Sequence, residues 1–345
     1  MSKRLIKLVL CSVLMVALGG CRRGEIVNNL TNCSYKISLI VDERGFEDNY
    51  QATMASQAIG KYFIDRGWNV ECAKYVFAPS AGQYDQIIET TIYEGFDLLI
   101  FANENFKTDI ATAAKKNSNQ KFLTLGFSVD APNVVSAEFS KKHSAYLVGL
   151  ASALKAQEEQ RFSFVFVEGS NNEKYQEYYQ GFQMGVAAIL PEAKIKKVKV
   201  HDYEESKVKA VLEEEVFSQE PLVIFNPVVE TNELMYQLTS QKNKTGKPTY
   251  LIALDLSYLN KSLVDEEHSI LLTAIVKEYD VAVRIALNTL VDGTFHGGAL
   301  NTLRLNILND GVSIAVIPQV NLSEQQYTVI TEYIERIKSG DLNID

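Results

Sequence analysis

Apolar residues along this chain recur in two alternating rhythms. Short continuous runs read as strands at 35–41 (YKISLIV), 69–77, 96–102, 121–127, 134–139, 161–169, 194–200, 221–226 and 249–255. Between most of them the apolar positions take the three-to-four spacing of an amphipathic helix, over 48–66, 81–94, 106–117, 141–157, 173–190, 206–217 and 231–241. Strands that are apolar on both faces and separated by helices point to parallel sheets covered on both sides. After 255 the rhythm changes. An apolar run at 269–276 leads to a helix at 277–293, then to ALNTLRLNI and VSIAVIP, and a last amphipathic helix follows Ser323. Ser323 is placed to cap that helix, with Glu324 in its first turn. These late segments are expected to pass back between two bodies and form a hinge.

The two halves echo one another. FEDNYQATMASQAIG (46–60) and NNEKYQEYYQGFQMG (171–185) align at a constant offset of 125, matching Tyr50 with Tyr175, Gln51 with Gln176 and Gly60 with Gly185. Each stretch follows a strand and opens a helix. Three identities in fifteen can arise by chance, but their shared place in a strand–loop–helix unit favours a duplicated α/β lobe, and a chain of 345 residues is long enough for two cores. Two such lobes facing one another leave a cleft as the natural ligand site.

The N-terminus carries a different pattern. Lys3, Arg4 and Lys7 precede an apolar run, Leu8 to Leu18, that is too short for the roughly 20 residues of a spanning helix. A basic start, a short apolar run and a small-residue exit describe a secretory signal over residues 1–20, the alternative being an uncleaved anchor. Leu18-Gly19-Gly20-Cys21 resembles a bacterial lipobox, which implies cleavage before Cys21 and lipid on its sulfur and new amino terminus. Residues 21–34 then read as a tether, since RRGEIVNNLTN lacks an apolar period. Cleavage removes three of the 34 Lys and Arg and none of the 43 Asp and Glu, so a formal charge of −9 becomes −12. So acidic a chain does not seek nucleic acid by charge. Of four cysteines, Cys11 leaves with the signal and Cys21 takes lipid. Cys33 and Cys72 either bridge in an oxidising exterior or leave Cys72 as a small buried hydrophobe.

Catalytic and metal motifs are missing. The four histidines, 143, 201, 268 and 296, sit in separate segments, and neither HExxH nor GxSxG occurs. TGKPT (245–249) fails as a phosphate loop, because position 241 is Gln and Pro248 opposes the helix start such a loop needs. No cofactor is expected.

Several segments, in order, resemble the basic membrane protein family of substrate-binding lipoproteins, which includes purine nucleoside receptors. LIVDERGFEDN (39–49), SVDAPNVVSAEFSKKHSAYLVGLASAL (128–154), YYQGFQMGV (178–186), ALDLS (253–257) and TAIVKEYDVAVRIALNTLVDGTFHGG (273–298) carry the likeness. The resemblance implies a two-lobed type I periplasmic-binding fold. Its lobes are expected at 35–140 plus about 257–298 and at 141–256 plus about 299–318, with a C-terminal helix over 319–345. It further implies a nucleoside or similar small ligand and an ATP-driven membrane permease as partner. The protein is expected on the outer face of a bacterial cell membrane, held by lipid on Cys21.

Site residues follow from the same likeness. Phe46 is placed to stack on a purine or to pack on its own lobe. Asp48 matches an acidic loop residue or caps its helix. Asp130 matches an aspartate that accepts from a base edge, or makes an Asx turn before Pro132. Phe225 ends a strand that the family follows with Ala-Gly-Gly, where this chain has Val228, Val229 and Glu230. Asp255 matches a ribose-binding aspartate and Lys277 a lysine that donates to the sugar, the alternative being a surface ion pair. Ala52 departs from the family's polar amide. The favoured function is a lipid-anchored solute-binding protein. Its rivals are a ligand sensor or surface lipoprotein that keeps the fold, and a nucleoside hydrolase.

Overall fold

The computed structural model describes residues 33–46, 49–244, 246–257, 259, 262, 269–316 and 321–345. The signal segment, Cys21, nearly all of the tether, Asp48 and His268 therefore lie outside the described residues.

Five apolar runs build the first sheet: β1 (Ile37–Val41), β2 (Ala73–Phe77), β3 (Leu98–Phe101), β4 (Lys121–Leu125) and β5 (Val134–Phe139). A late strand, β11 (Leu303–Leu305), completes it in the order β11-β5-β4-β3-β1-β2, with every neighbouring pair parallel. The second sheet holds β6 (Phe164–Glu168), β7 (Ile195–Lys199), β8 (Val223–Phe225), β9 (Tyr250–Ala253), β10 (Leu271–Lys277) and β12 (Val312–Ile314). Its order is β12-β10-β9-β8-β6-β7. Strand for strand the two orders match, as the internal echo predicts. All residues of β1, β3 and β6 are buried, the result expected for strands packed on both faces.

Helices α1 (Tyr50–Asp65), α2 (Tyr84–Tyr93), α3 (Lys107–Lys116) and α8 (Tyr279–Val291) cover the first sheet. Those of the second are α4 (Lys141–Glu159), α5 (Asn172–Ile189), α6 (Glu205–Val211), α7 (Asn232–Asn243) and α9 (Glu324–Lys338). Asn49 caps α1, its Oδ1 accepting from Ala52 N at 3.0 Å, so the helix cap expected of Asp48 belongs to its neighbour. Ser323 caps α9 in a capping box with Gln326. No helix among the described residues is long and apolar enough to cross a membrane.

The chain crosses between lobes three times, at 139–141, 277–279 and 305–312. This corrects the expected division at about 257 and 298. β10 is a central strand of the second sheet, and only from Tyr279 does the chain rejoin the first lobe, where α8 packs on α1. The pairing of Tyr62 Oη with Asn288 Oδ1 at 2.8 Å and the Lys61–Asp280 ion pair at 3.0 Å fix that contact. β11 likewise sits in the first sheet. β12 is antiparallel to β10 because the chain enters the second lobe from its hinge end and must run away from it.

Two local features bear on stability. Cys33 and Cys72 are disulfide-bonded with Cα atoms 5.7 Å apart, which settles the alternative left open by the sequence. In the second lobe α4 and α5 meet backbone to backbone at Gly149, Gly181 and Gly185. A Cβ on Gly185 would lie 2.1 Å from the Tyr146 carbonyl oxygen, and one on Gly149 would lie 2.5 Å from that of Phe182.

Candidate functional site

Parallel strands deliver the residues that follow them to one edge of their sheet, and ligands of open α/β sheets bind beyond that carboxyl edge. Here the carboxyl edges of both sheets adjoin the three crossings. A cavity of about 170 Å³ lies there, lined by Gln51 from the first lobe and by Asn226, Val229, Asn232, Asp255 and Lys277 from the second. Asp255 stands two residues beyond β9, and its Oδ1 accepts from Ser257 N at 2.8 Å in an Asx turn. Lys277 is the last residue of β10.

Asp255 and Lys277 share this cavity without pairing. Among the described residues Lys277 Nζ has no hydrogen bond and no carboxylate within 4.0 Å, and only Oδ1 of Asp255 is engaged. Burial pulls the Lys277 ammonium below the ordinary lysine range; Asp255 opposes that shift and Lys141 adds to it. The cavity thus presents one free acceptor and one free donor.

Three tyrosines feel the charge of the same carboxylate. Tyr50 opens α1, and burial followed by the charges of Asp255 and Glu278 pushes its hydroxyl up to about 12. Tyr178 of α5 and Tyr279 of α8 are also raised, first by burial, with Asp255 contributing to both. All three are neutral donors at physiological pH. Sequence reasoning missed this triad. The repeated Tyr-Gln pair singled out Tyr50 of the three; its counterpart in α5 is Tyr175, and nothing in the sequence pointed to Tyr178 or Tyr279.

The remaining expected residues are dispersed. Phe46 lies in the turn between β1 and α1, where its ring meets Tyr75 edge-on at 5.7 Å; it packs on its own lobe. Asp130 lies at the far end of the first sheet. The connection from β4 doubles back without a helix, bringing Asn133 beside Phe122, and Asp130 Oδ1 accepts from Ala299 N at 2.9 Å. That position sets Asp130 apart from the cavity that Asp255 and Lys277 line. Phe225 is 0% exposed, its ring within 5.3–5.8 Å of those of Phe166, Tyr178 and Phe182, so it is core rather than cavity wall.

Of the residues that follow β8 in place of Ala-Gly-Gly, one reaches the cavity. Val228 is buried, whereas Val229 is 57% exposed and lines the cavity. Asn226 staples this loop by donating from Nδ2 to Thr231 Oγ1 at 2.9 Å and to Asn232 Oδ1 at 3.0 Å. The resulting volume is below the about 300–1,000 Å³ common for small-molecule pockets. Across the cleft the buried Asp42 carboxylate accepts from Asn49 at 3.1 Å, from Arg44 Nε at 3.0 Å and from Asn103. Asp42 thereby ties the turn before α1 to the end of β3, a role with no signal in the sequence. No group of three or more His, Cys, Asp or Glu among the described residues could hold a metal ion.

Comparison with known proteins agrees with this fold. The Bmp family model, described as ABC transporter substrate-binding protein PnrA-like, matches residues 35–343. A CD4+ T-cell-stimulating antigen of Listeria monocytogenes is 23% identical over 360 residues, covering 100% of this chain and 99% of that one. An ABC transporter solute-binding protein from Aeropyrum pernix K1 shares the fold at a TM-score of 0.64 and 17% identity, covering 89% of this chain and 92% of its own. A protein from Bacillus halodurans described as a transcriptional activator of the comK gene gives 0.67 at 15% identity, over 89% and 99%. These neighbours have the type I periplasmic-binding fold that the two matched sheets display. The chain belongs to the Bmp family of PnrA-like ABC transporter substrate-binding proteins, extracytoplasmic proteins that bind a small ligand and work with a permease rather than catalyse a reaction.

Proposed function

We propose that this substrate-binding protein captures a nucleoside between its lobes, is held to the membrane by lipid on Cys21, and hands the ligand to its permease. The observation that carries the ligand class is the unpaired acceptor and donor, Asp255 and Lys277, on one cavity wall. A vicinal diol answers both: its hydroxyls donate to the carboxylate and one of its oxygens accepts from the ammonium. Gln51 on the opposite lobe lets the same guest touch both bodies. Ligand that bridges the lobes favours the closed population only through its extra affinity for that state.

A hydrogen bond to a charged group contributes about 1.5–3 kcal/mol. Asp255→Ala is therefore expected to weaken guanosine binding by about tenfold or more in isothermal titration. Unchanged affinity rejects the role given to Asp255. The small cavity and the Val229 side chain favour a second reading, a surface lipoprotein that has kept the fold and lost the guest. Wild-type protein whose melting temperature does not move with any nucleoside selects that reading.

A further inference from the structure

A buried hydroxyl with no partner is costly, and each case calls for a reason. Tyr146 and Tyr279 are two such cases among the described residues, at 2% and 3% exposure. Their surroundings differ. Tyr146 lies on α4, where its polar neighbours are Tyr333 and Arg336 of α9. Tyr279 begins α8 immediately after the second crossing, and its ring sits 5.1 Å from that of Phe139, which ends β5 at the first crossing. It is therefore wedged in the hinge.

The groups that act electrostatically on the Tyr279 hydroxyl come from both lobes: Asp255 from the loop after β9, Tyr50 from α1 and Tyr178 from α5. Tyr279 brings a proton with no acceptor, and Asp255 brings an Oδ2 with no donor among the described residues. Each group has what the other lacks.

We propose that Tyr279 is a positioning residue for ligand capture, its hydroxyl donating to Asp255 Oδ2 in the ligand-bound arrangement and so aiming the carboxylate at the guest. This rests on the reading of the Asp255–Lys277 cavity as the ligand site. The unmet hydroxyl raises the free energy of the unliganded form, and binding relieves it, so the hinge contributes to the preference for the bound state.

The experiment compares wild type, Tyr279→Phe, Tyr146→Phe, Asp255→Asn and the Asp255→Asn/Tyr279→Phe double variant. Each is melted without ligand and titrated with guanosine and adenosine. Both Phe variants are expected to melt about 1–3 °C above wild type, because each removes an orphaned hydroxyl. Only Tyr279→Phe is expected to lose affinity, by about fivefold to tenfold, and it adds no further loss to Asp255→Asn, since the two groups act as one unit. A Tyr279→Phe protein that binds like wild type overturns the inference and leaves the ligand site standing. So does one whose loss is fully additive with that of Asp255→Asn. Wild-type protein that binds neither nucleoside overturns the nucleoside reading and this inference together.

Discussion

Gly60 and Gly185 occupy matching positions of the duplicated unit, and the structure assigns them opposite fates. At Gly60, on α1, a new methyl group meets no heavy atom within 4 Å. At Gly185, on α5, it would lie 2.1 Å from the Tyr146 carbonyl oxygen, 2.9 Å from Leu150 N and 3.0 Å from Gly149 Cα. All three are backbone atoms, so no rotamer change removes the clash. Restoring an ordinary contact requires α5 to back away from α4 by roughly 1 Å, which weakens dispersion contacts along the whole seam. Overpacking of this kind costs about 1–3 kcal/mol. Helix propensity alone acts the other way, favouring Ala over Gly by about 1 kcal/mol. The sign of each effect is therefore diagnostic. Gly60→Ala is expected to stabilise by up to about 1 kcal/mol. Gly185→Ala is expected to destabilise by about 2 kcal/mol, a drop of about 4–8 °C in a thermal melt followed by circular dichroism. A Gly185→Ala protein that melts at or above the wild-type temperature would refute the claim that the two helices touch at backbone level.

Lys277→Met keeps the length of the side chain and removes an ammonium that has no partner among the described residues. It is expected to raise the melting temperature of the unliganded protein and to weaken guanosine binding about tenfold or more by titration; a fall in both places Lys277 in an internal ion pair instead. The same residue sets a pH dependence. Its folded-state ammonium loses its proton below the ordinary 10.5 of lysine, so over that interval the unfolded chain holds more protons and the Lys277 contribution to stability rises with pH. Ligand affinity runs the other way, falling as pH climbs toward 10.5, and Lys277→Met is expected to abolish that fall. Cys21→Ser is expected to move the protein from the membrane fraction to the medium on cell fractionation; retention on the membrane rules out anchoring through that cysteine.

Much of the fold was legible because parallel strands buried on both faces leave unbroken apolar runs. That signal located every strand of the first half and most of the second. It could not say which lobe owns a late segment. TAIV of β10 and the helix that follows it are equally apolar, yet they belong to different bodies. The site was legible where a candidate ends a strand that runs toward the cleft, as Lys277 does, or stands just past one, as Asp255 does. Asp130 also follows a strand, but its loop turns back along the sheet and carries it to the opposite end. Phe225 ends its strand too, and strand alternation aims its ring at α5. Tyr279 gave no local sign at all, since its ring contact is with residue 139 and the groups that act on it electrostatically come from residues 50, 178 and 255.

The three crossings also govern how the molecule comes into being. β11 and β12 are the outermost strands of their sheets, and both are translated within the stretch 303–314. The first body gains its last edge at β11, only after β6 to β10 of the second have been made, so synthesis cannot finish one and then begin the next. A nonsense codon after Val291 deprives both halves of a border strand at a stroke. For the same reason, dividing this protein into separately produced modules would require rewiring the polypeptide rather than cutting it.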